Sequence, residues 1–209
     1  MSESIIQSSR QAVHNRIVEV ANEQFRLHGI RSVRMDDLAA ILGISKRTLY
    51  QEFADKEALL LAVNYRNQQE MGKLYQKFHE ESDNVLECML KIFRFTMQLF
   101  AETNPKYFEE MQRYPSLQEE FLKSRQDHAH HIKQFVMDGI EQGIFRSDLN
   151  VELFLKTQDL MHDRGLQDLK KQYGLTETLK TTLLVTLRGI STLKGVSMID
   201  EFIEELRKQ

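Results

Sequence analysis

Two prolines in 209 residues, Pro105 and Pro115, set the first limit on how this chain can fold. Long stretches on either side of them carry no helix breaker of this kind, and no sustained apolar/polar alternation marks a strand. The expectation is an all-α protein. Apolar periodicity predicts helices at about 10–28, 36–42, 46–52, 56–80, 84–103, 106–113, 117–142, 151–172, 176–195 and 199–208. Local punctuation agrees. Gly29 closes the first helix, and Asp55 and Asn150 are placed as N-caps. Pro105 suits a first helical turn, where its missing N–H costs nothing. Ser116 and Glu119 have capping-box spacing, and Ser191 and Ser197 are weaker punctuation.

Residues 36–57 carry the most information. Leu38, Ala39 and Leu42 form one apolar stripe, Gly43 supplies a turn, and Ser45 is a good N-cap for the next helix. Ile44 and Leu49 have the spacing of a hydrophobic staple, and Leu49 with Phe53 makes a second stripe. Two short helices joined by a tight glycine-containing turn are the layout of a helix-turn-helix, whose second helix can enter a major groove. Lys46, Arg47, Thr48, Tyr50 and Gln51 are left pointing outward, and they suit phosphates and base edges. A solvated face on an ordinary helical domain would use the same residue types, and spacing alone leaves both readings open.

From Arg16 to Leu60 the chain resembles the N-terminal domain of the tetracycline-repressor (TetR) family of transcriptional regulators. The matching positions include Ile17, Ala21, Phe25, Gly29, Val33, Asp37, Leu38, Ala39, Gly43, Ile44, Ser45, Thr48, Leu49, Tyr50, Phe53, Lys56, Glu57 and Leu60, without a gap. The resemblance implies an N-terminal three-helix helix-turn-helix DNA-binding domain, expected at 1–55. A C-terminal helical ligand-binding and dimerisation domain is expected at 56–209. It places Lys46, Arg47, Thr48 and Tyr50 at the groove and Lys56 on the phosphate backbone, and Arg34 and Ser45 are counted with them as DNA-binding candidates. Arg34 stands where the family usually has a capping Ser or Thr; it gives up the cap but adds a charge. Glu52 replaces a residue that is often His or Tyr. A carboxylate cannot donate to phosphate, so no DNA contact is expected of it. Asp36 is a further departure.

Composition is compatible with this reading. A net charge of −3 argues against a nonspecific polyanion coat but permits a local basic patch, and Arg31, Arg34, Lys46, Arg47 and Lys56 supply one. The single cysteine, Cys88, rules out an intramolecular disulfide and fits a reducing, cytoplasmic setting. No apolar stretch reaches the roughly 18–20 residues of a membrane span, and no secretory signal is read.

A lone reading head makes few base contacts, so a homodimer on a palindromic operator in double-stranded DNA is expected. Leu179, Leu183, Leu187 and Ile190 form one stripe that Phe154 can join, either as the dimer surface or as internal core. The family's last two long helices form its dimer contact, which favours the first. Phe93, Met97, Phe108, Met111, Phe135 and Met161 are candidates for a largely apolar effector pocket, and equally for ordinary core. The resemblance implies a small-molecule effector that releases the DNA, and a repressor. His128 and His131 share a helix face with Asp127 near His130, but nothing completes a metal set, and neither metal nor cofactor is expected. There is no phosphate loop, nucleophile elbow or paired-histidine zinc motif, so an enzyme is not expected. A helical enzyme without such signatures and a peripheral-membrane or scaffold protein are the alternatives.

Overall fold

A computed structural model describes residues 2–160 and 166–208. Among these are eleven helices: α1 (Ser2–His28), α2 (Met35–Leu42), α3 (Lys46–Glu52), α4 (Lys56–Glu80), α5 (Val85–Ala101), α6 (Pro105–Met111), α7 (Pro115–Glu141), α8 (Val151–Leu160), α9 (Leu166–Tyr173), α10 (Leu175–Ile190) and α11 (Leu193–Arg207). The only pairing of strand type among the described residues is an isolated bridge between Phe145 and Ser191. The fold is all-α. No described helix is long and apolar enough to cross a membrane.

The caps explain most helix starts. Asp55 accepts from Ala58 N–H at 2.8 Å, Asn104 from Lys106 N–H and Asn150 from Leu153 N–H, each at 3.0 Å. Ser116 does something else. Its N–H donates to the Glu57 carboxylate at 3.2 Å, and its hydroxyl donates to the same oxygen, so α4 caps α7 across space. Ser116 thus sits inside α7, one residue past its start, and takes a partner from another helix. The helix expected at 176–195 stops at Ile190. There Thr192 N–H donates to Ile144 O at 2.8 Å and Arg146 N–H to Ile190 O at 2.9 Å, and Thr192 becomes the cap of α11.

The chain divides into two compact units. Residues 1–74 and 100–122 form one, residues 75–99 and 123–209 the other. The first thus extends past residue 55 and takes in α6 and the start of α7. Burial is the reason. Leu59, Leu60 and Val63 of α4, Tyr107 and Met111 of α6 and Leu117 of α7 share one core with Ile17, Ala21, Phe25, Leu38, Leu49 and Phe53. Each of the larger aliphatic and Phe side chains among them, removed from water, contributes about 1.5–3 kcal/mol. The second unit centres on Leu86, Leu90 and Phe93 of α5, Ile144 and Phe145, Leu184 and Leu187 of α10, and Ile199 and Phe202 of α11. Phe145 lies directly against Gly139 of α7, where a Cβ would come within 2.1 Å of its ring. Only glycine lets that turn pack there.

Candidate nucleic-acid interface

The link between α2 and α3 is a Schellman turn. Gly43, at φ 66°, donates to Ala40 O, and Ile44 N–H donates to Ala39 O, both at 3.1 Å. A side chain at this φ would be strained. Ser45 Oγ then accepts from Thr48 N–H at 3.0 Å and lies 2.8 Å from Thr48 Oγ1, closing the first turn of α3. Leu49 is fully buried and Phe53 nearly so, which fixes the rotation of α3. Lys46, Arg47, Tyr50 and Gln51 are consequently exposed, Tyr50 by 48%, while Thr48 is half-buried.

The charges around this face are ordered. Lys46 Nζ donates to Asp36 Oδ2 at 2.5 Å, and this hydrogen bond, together with the carboxylate's charge, raises the lysine pKa. Among the described residues Arg47 has no ion-pair partner. Arg34 is exposed at the start of α2. Its guanidinium has no acceptor for a cap, but its N–H donates to Asp37 Oδ2 at 3.3 Å, so half a capping box survives. Lys56 is half-buried. Its ammonium donates to Ile30 O at 2.9 Å, and burial lowers its pKa while Glu110 opposes the shift. Two of its three donors remain for another partner.

Glu52 faces inward, with its side chain 12% exposed. Its carboxylate accepts from Arg10 Nε at 2.7 Å and lies 3.4 Å from His14 Nδ1, while the His14 ring packs on Phe53 at 4.7 Å. The end of α3 is thereby fastened to α1. Sequence spacing gives no warning of this clamp or of the Asp36–Lys46 pair. The partners lie 42, 38 and 10 residues apart, and only folding brings them together.

The other candidates separate. Phe93 and Met97 line a cavity in the second unit, while Phe135 packs on Phe145 at 5.2 Å in that unit's core. Phe108 and Met111 belong instead to the first unit, where Phe108 meets Phe100 at 4.8 Å and Met111 is buried. They cannot share a pocket wall with Phe93 inside one unit. Met161 and His162 lie outside the described residues, as does the side chain of His128. Leu187 and Ile190 are 2% and 5% exposed in the second unit's own core, so they are not free for a partner. Leu179 and Leu183 line the cavity, and Phe154 is half-buried against the core. Other apolar residues of this unit are exposed, with Leu193, Leu160, Val185 and Leu153 the most exposed of its aliphatic side chains.

Residues 17–63 match the family described as "Bacterial regulatory proteins, tetR family". Two curated relatives are similar over short stretches. A putative mycofactocin biosynthesis transcriptional regulator of Mycobacterium tuberculosis is 39% identical over 57 residues, covering 27% of this chain and 29% of the relative. An uncharacterized HTH-type transcriptional regulator of Bacillus subtilis is 37% identical over 84 residues, 40% of this chain and 44% of the relative. The chain thus spans under half the length of these two. The match to the HTH-type transcriptional repressor KstR2 of Mycobacterium tuberculosis is longer, at 26% identity over 142 residues, 66% of this chain and 71% of the relative. Among solved structures, a transcriptional regulator from Cytophaga hutchinsonii shares the fold with a TM-score of 0.65 at 18% identity, over 85% of this chain and 98% of that one.

Proposed function

We propose that this chain, which belongs to the TetR family of bacterial regulatory proteins by its residues 17–63, is a sequence-specific DNA-binding repressor. It acts as a homodimer on a palindromic operator and leaves it when a small molecule occupies the second unit. One observation carries the reading. The Schellman turn, the Ser45 cap and buried Leu49 hold α3 so that Lys46, Arg47, Tyr50 and Gln51 face solvent together. Arg47 and Lys46 meet phosphate or guanine edges, and Thr48 and Tyr50 add contacts that need no charge. Arg34 and Lys56 flank them. The relative matched over 142 residues is itself named a repressor, which supports the direction of control.

Exposed Val185, Leu153, Leu160 and Leu193 supply apolar surface for the second copy. Control passes through residues 100–122, which pack with the reading head although the chain on both sides belongs to the other unit. Glu110 accepts from Arg31 N–H at 2.7 Å, Asn104 N–H donates to Arg26 O at 2.8 Å, and Ser116 holds Glu57. An effector that favours a different placement of this segment shifts the population of binding-competent heads.

The test is selection of duplexes from a random pool by the full-length chain, followed by mobility shift on the enriched sequence. A palindrome bound by one dimer, and abandoned when one half-site is scrambled, is the expected result. No enrichment at low ionic strength would falsify the reading.

A further inference from the structure

We infer that Arg10 is a further phosphate-binding residue of the reading head, and that Glu52 is the positioning residue that holds it there. This rests on the DNA-binding reading above. Arg10 lies upstream of residues 17–63, outside the stretch that matches the family.

The placement starts on α1. That helix is continuous from Ser2 to His28 and is anchored by buried Ile17, Val18, Ala21 and Phe25. Arg10 and His14 stand about one turn apart on one face of it. Each faces a different oxygen of the Glu52 carboxylate, at 2.7 and 3.4 Å. Glu52 is the last residue of α3 and follows Gln51, which is exposed on the reading face. Successive residues of a helix point about 100° apart, so Glu52 occupies the shoulder beside Gln51. A helix about 10–12 Å across fills a major groove about 12 Å wide, which brings its shoulders against the phosphate ridges. Arg10 reaches that shoulder from α1.

The chemistry of the pair leaves the guanidinium open to an anion. Arg10 uses Nε on Glu52, and among the described residues it has no other partner. Both terminal nitrogens keep N–H donors in the planar fork that matches phosphate oxygens. The two side chains differ in exposure, 68% for Arg10 and 12% for Glu52. An ion pair with one partner in water adds little to folding. What this one fixes is where the positive charge stands. It stands at the C-terminal end of α3, whose free carbonyls carry partial negative charge and whose last turn has no basic residue of its own. A bare carboxylate at this shoulder repels phosphate; with Arg10 seated on it the same spot attracts phosphate.

The test measures binding of the full-length chain to the duplex enriched by the selection above. Salt is varied, and single phosphates are replaced by neutral methylphosphonates. Arg10→Gln lowers affinity about five- to ten-fold and lowers the slope of log affinity against log salt by about 0.9 for each reading head. One methylphosphonate position in each half-site weakens binding of the unsubstituted chain and has no effect on Arg10→Gln. A residue that only braces α3 does not abolish sensitivity at one phosphate. Glu52→Gln gives a second signature, by its sign. With Arg10 present it weakens binding about three-fold, because the guanidinium loses its hold. In the Arg10→Gln background it strengthens binding about three-fold, because a repelling carboxylate is gone. Arg10 is exposed, so Arg10→Gln keeps the fold and decides the matter if Glu52→Gln unfolds.

An unchanged slope with Arg10→Gln, the same methylphosphonate pattern in both chains, or a Glu52→Gln effect of one sign in both backgrounds would each overturn the inference and leave the repressor reading in place. No duplex bound at any salt concentration would overturn both.

Discussion

The two compact units use the same material, amphipathic helices, to opposite ends. Around the reading head Phe25, Ile30, Leu38, Leu49, Leu59, Leu60 and Leu117 are all 0% exposed, and Glu52, Glu57 and Glu110 tie its edges. In the second unit Met89, Met97, Leu179 and Leu183 line open space, and α8 has no buried residue. A helix that must present side chains to a rigid duplex gains from a filled core beneath it. A unit that is to take up a ligand, as proposed for the second, needs room, and room lowers local stability.

Leu49→Ala against Leu183→Ala probes this contrast most directly. Leu49→Ala should cost about 2–5 kcal/mol in denaturant unfolding, because its cavity forms in a filled core. Leu183 already faces space, and its truncation should cost less than half as much. Equal costs would erase the distinction between the units.

Joint replacement of Lys46 and Arg47 by Ala should leave unfolding unchanged and weaken operator binding. It should also lower the slope of log affinity against log salt by up to about 1.8, at about 0.9 for each phosphate that is no longer neutralised. An unchanged slope would assign these residues to base edges alone.

Two caps then separate stability from reading. Ser45→Ala and Asn150→Ala should each cost about 1 kcal/mol in thermal unfolding. Only the first should reduce operator affinity, because Ser45 caps the proposed reading helix whereas Asn150 caps a helix of the other unit. A comparable drop in affinity from Asn150→Ala would mean that α8 is coupled to the head far more tightly than its exposure suggests.

The smallest effect concerns Asp36→Asn. The Asp36 carboxylate raises the Lys46 pKa, so their pairing is complete below the ordinary lysine value and fades as pH rises through the raised one. Releasing Lys46 should raise affinity several-fold for operator and scrambled duplex alike, narrowing discrimination, with no change in melting temperature. Weaker binding instead would make Asp36 a residue that aims Lys46 rather than one that restrains it.

The extent of α3, the Gly43 turn and the caps at Ser45, Asp55 and Asn150 were legible because each is a short-range matter. A cap and its target N–H lie three residues apart, and a glycine at positive φ answers to its own backbone. The candidate groove residues followed from the same logic: once Leu49 and Phe53 point inward, their neighbours on α3 point out. The stripe on α10 was legible as a stripe but not by its destination. Leu187 and Ile190 have the spacing of a partner face and an internal face equally, and Phe202 and Ile199, which claim them, come later in the chain.

Helical spacing and local capping thus determined that the chain is all-α and where its reading helix begins and ends, since those depend on interactions within a few residues. Folding in three dimensions decided the rest. It chose which acid holds which base, sent Phe108 and Met111 to the head's core and Phe93 and Met97 to a cavity, and closed α10 at Ile190. Such choices depend on which surfaces meet across long stretches of chain, and spacing along one helix carries no record of the face it will meet.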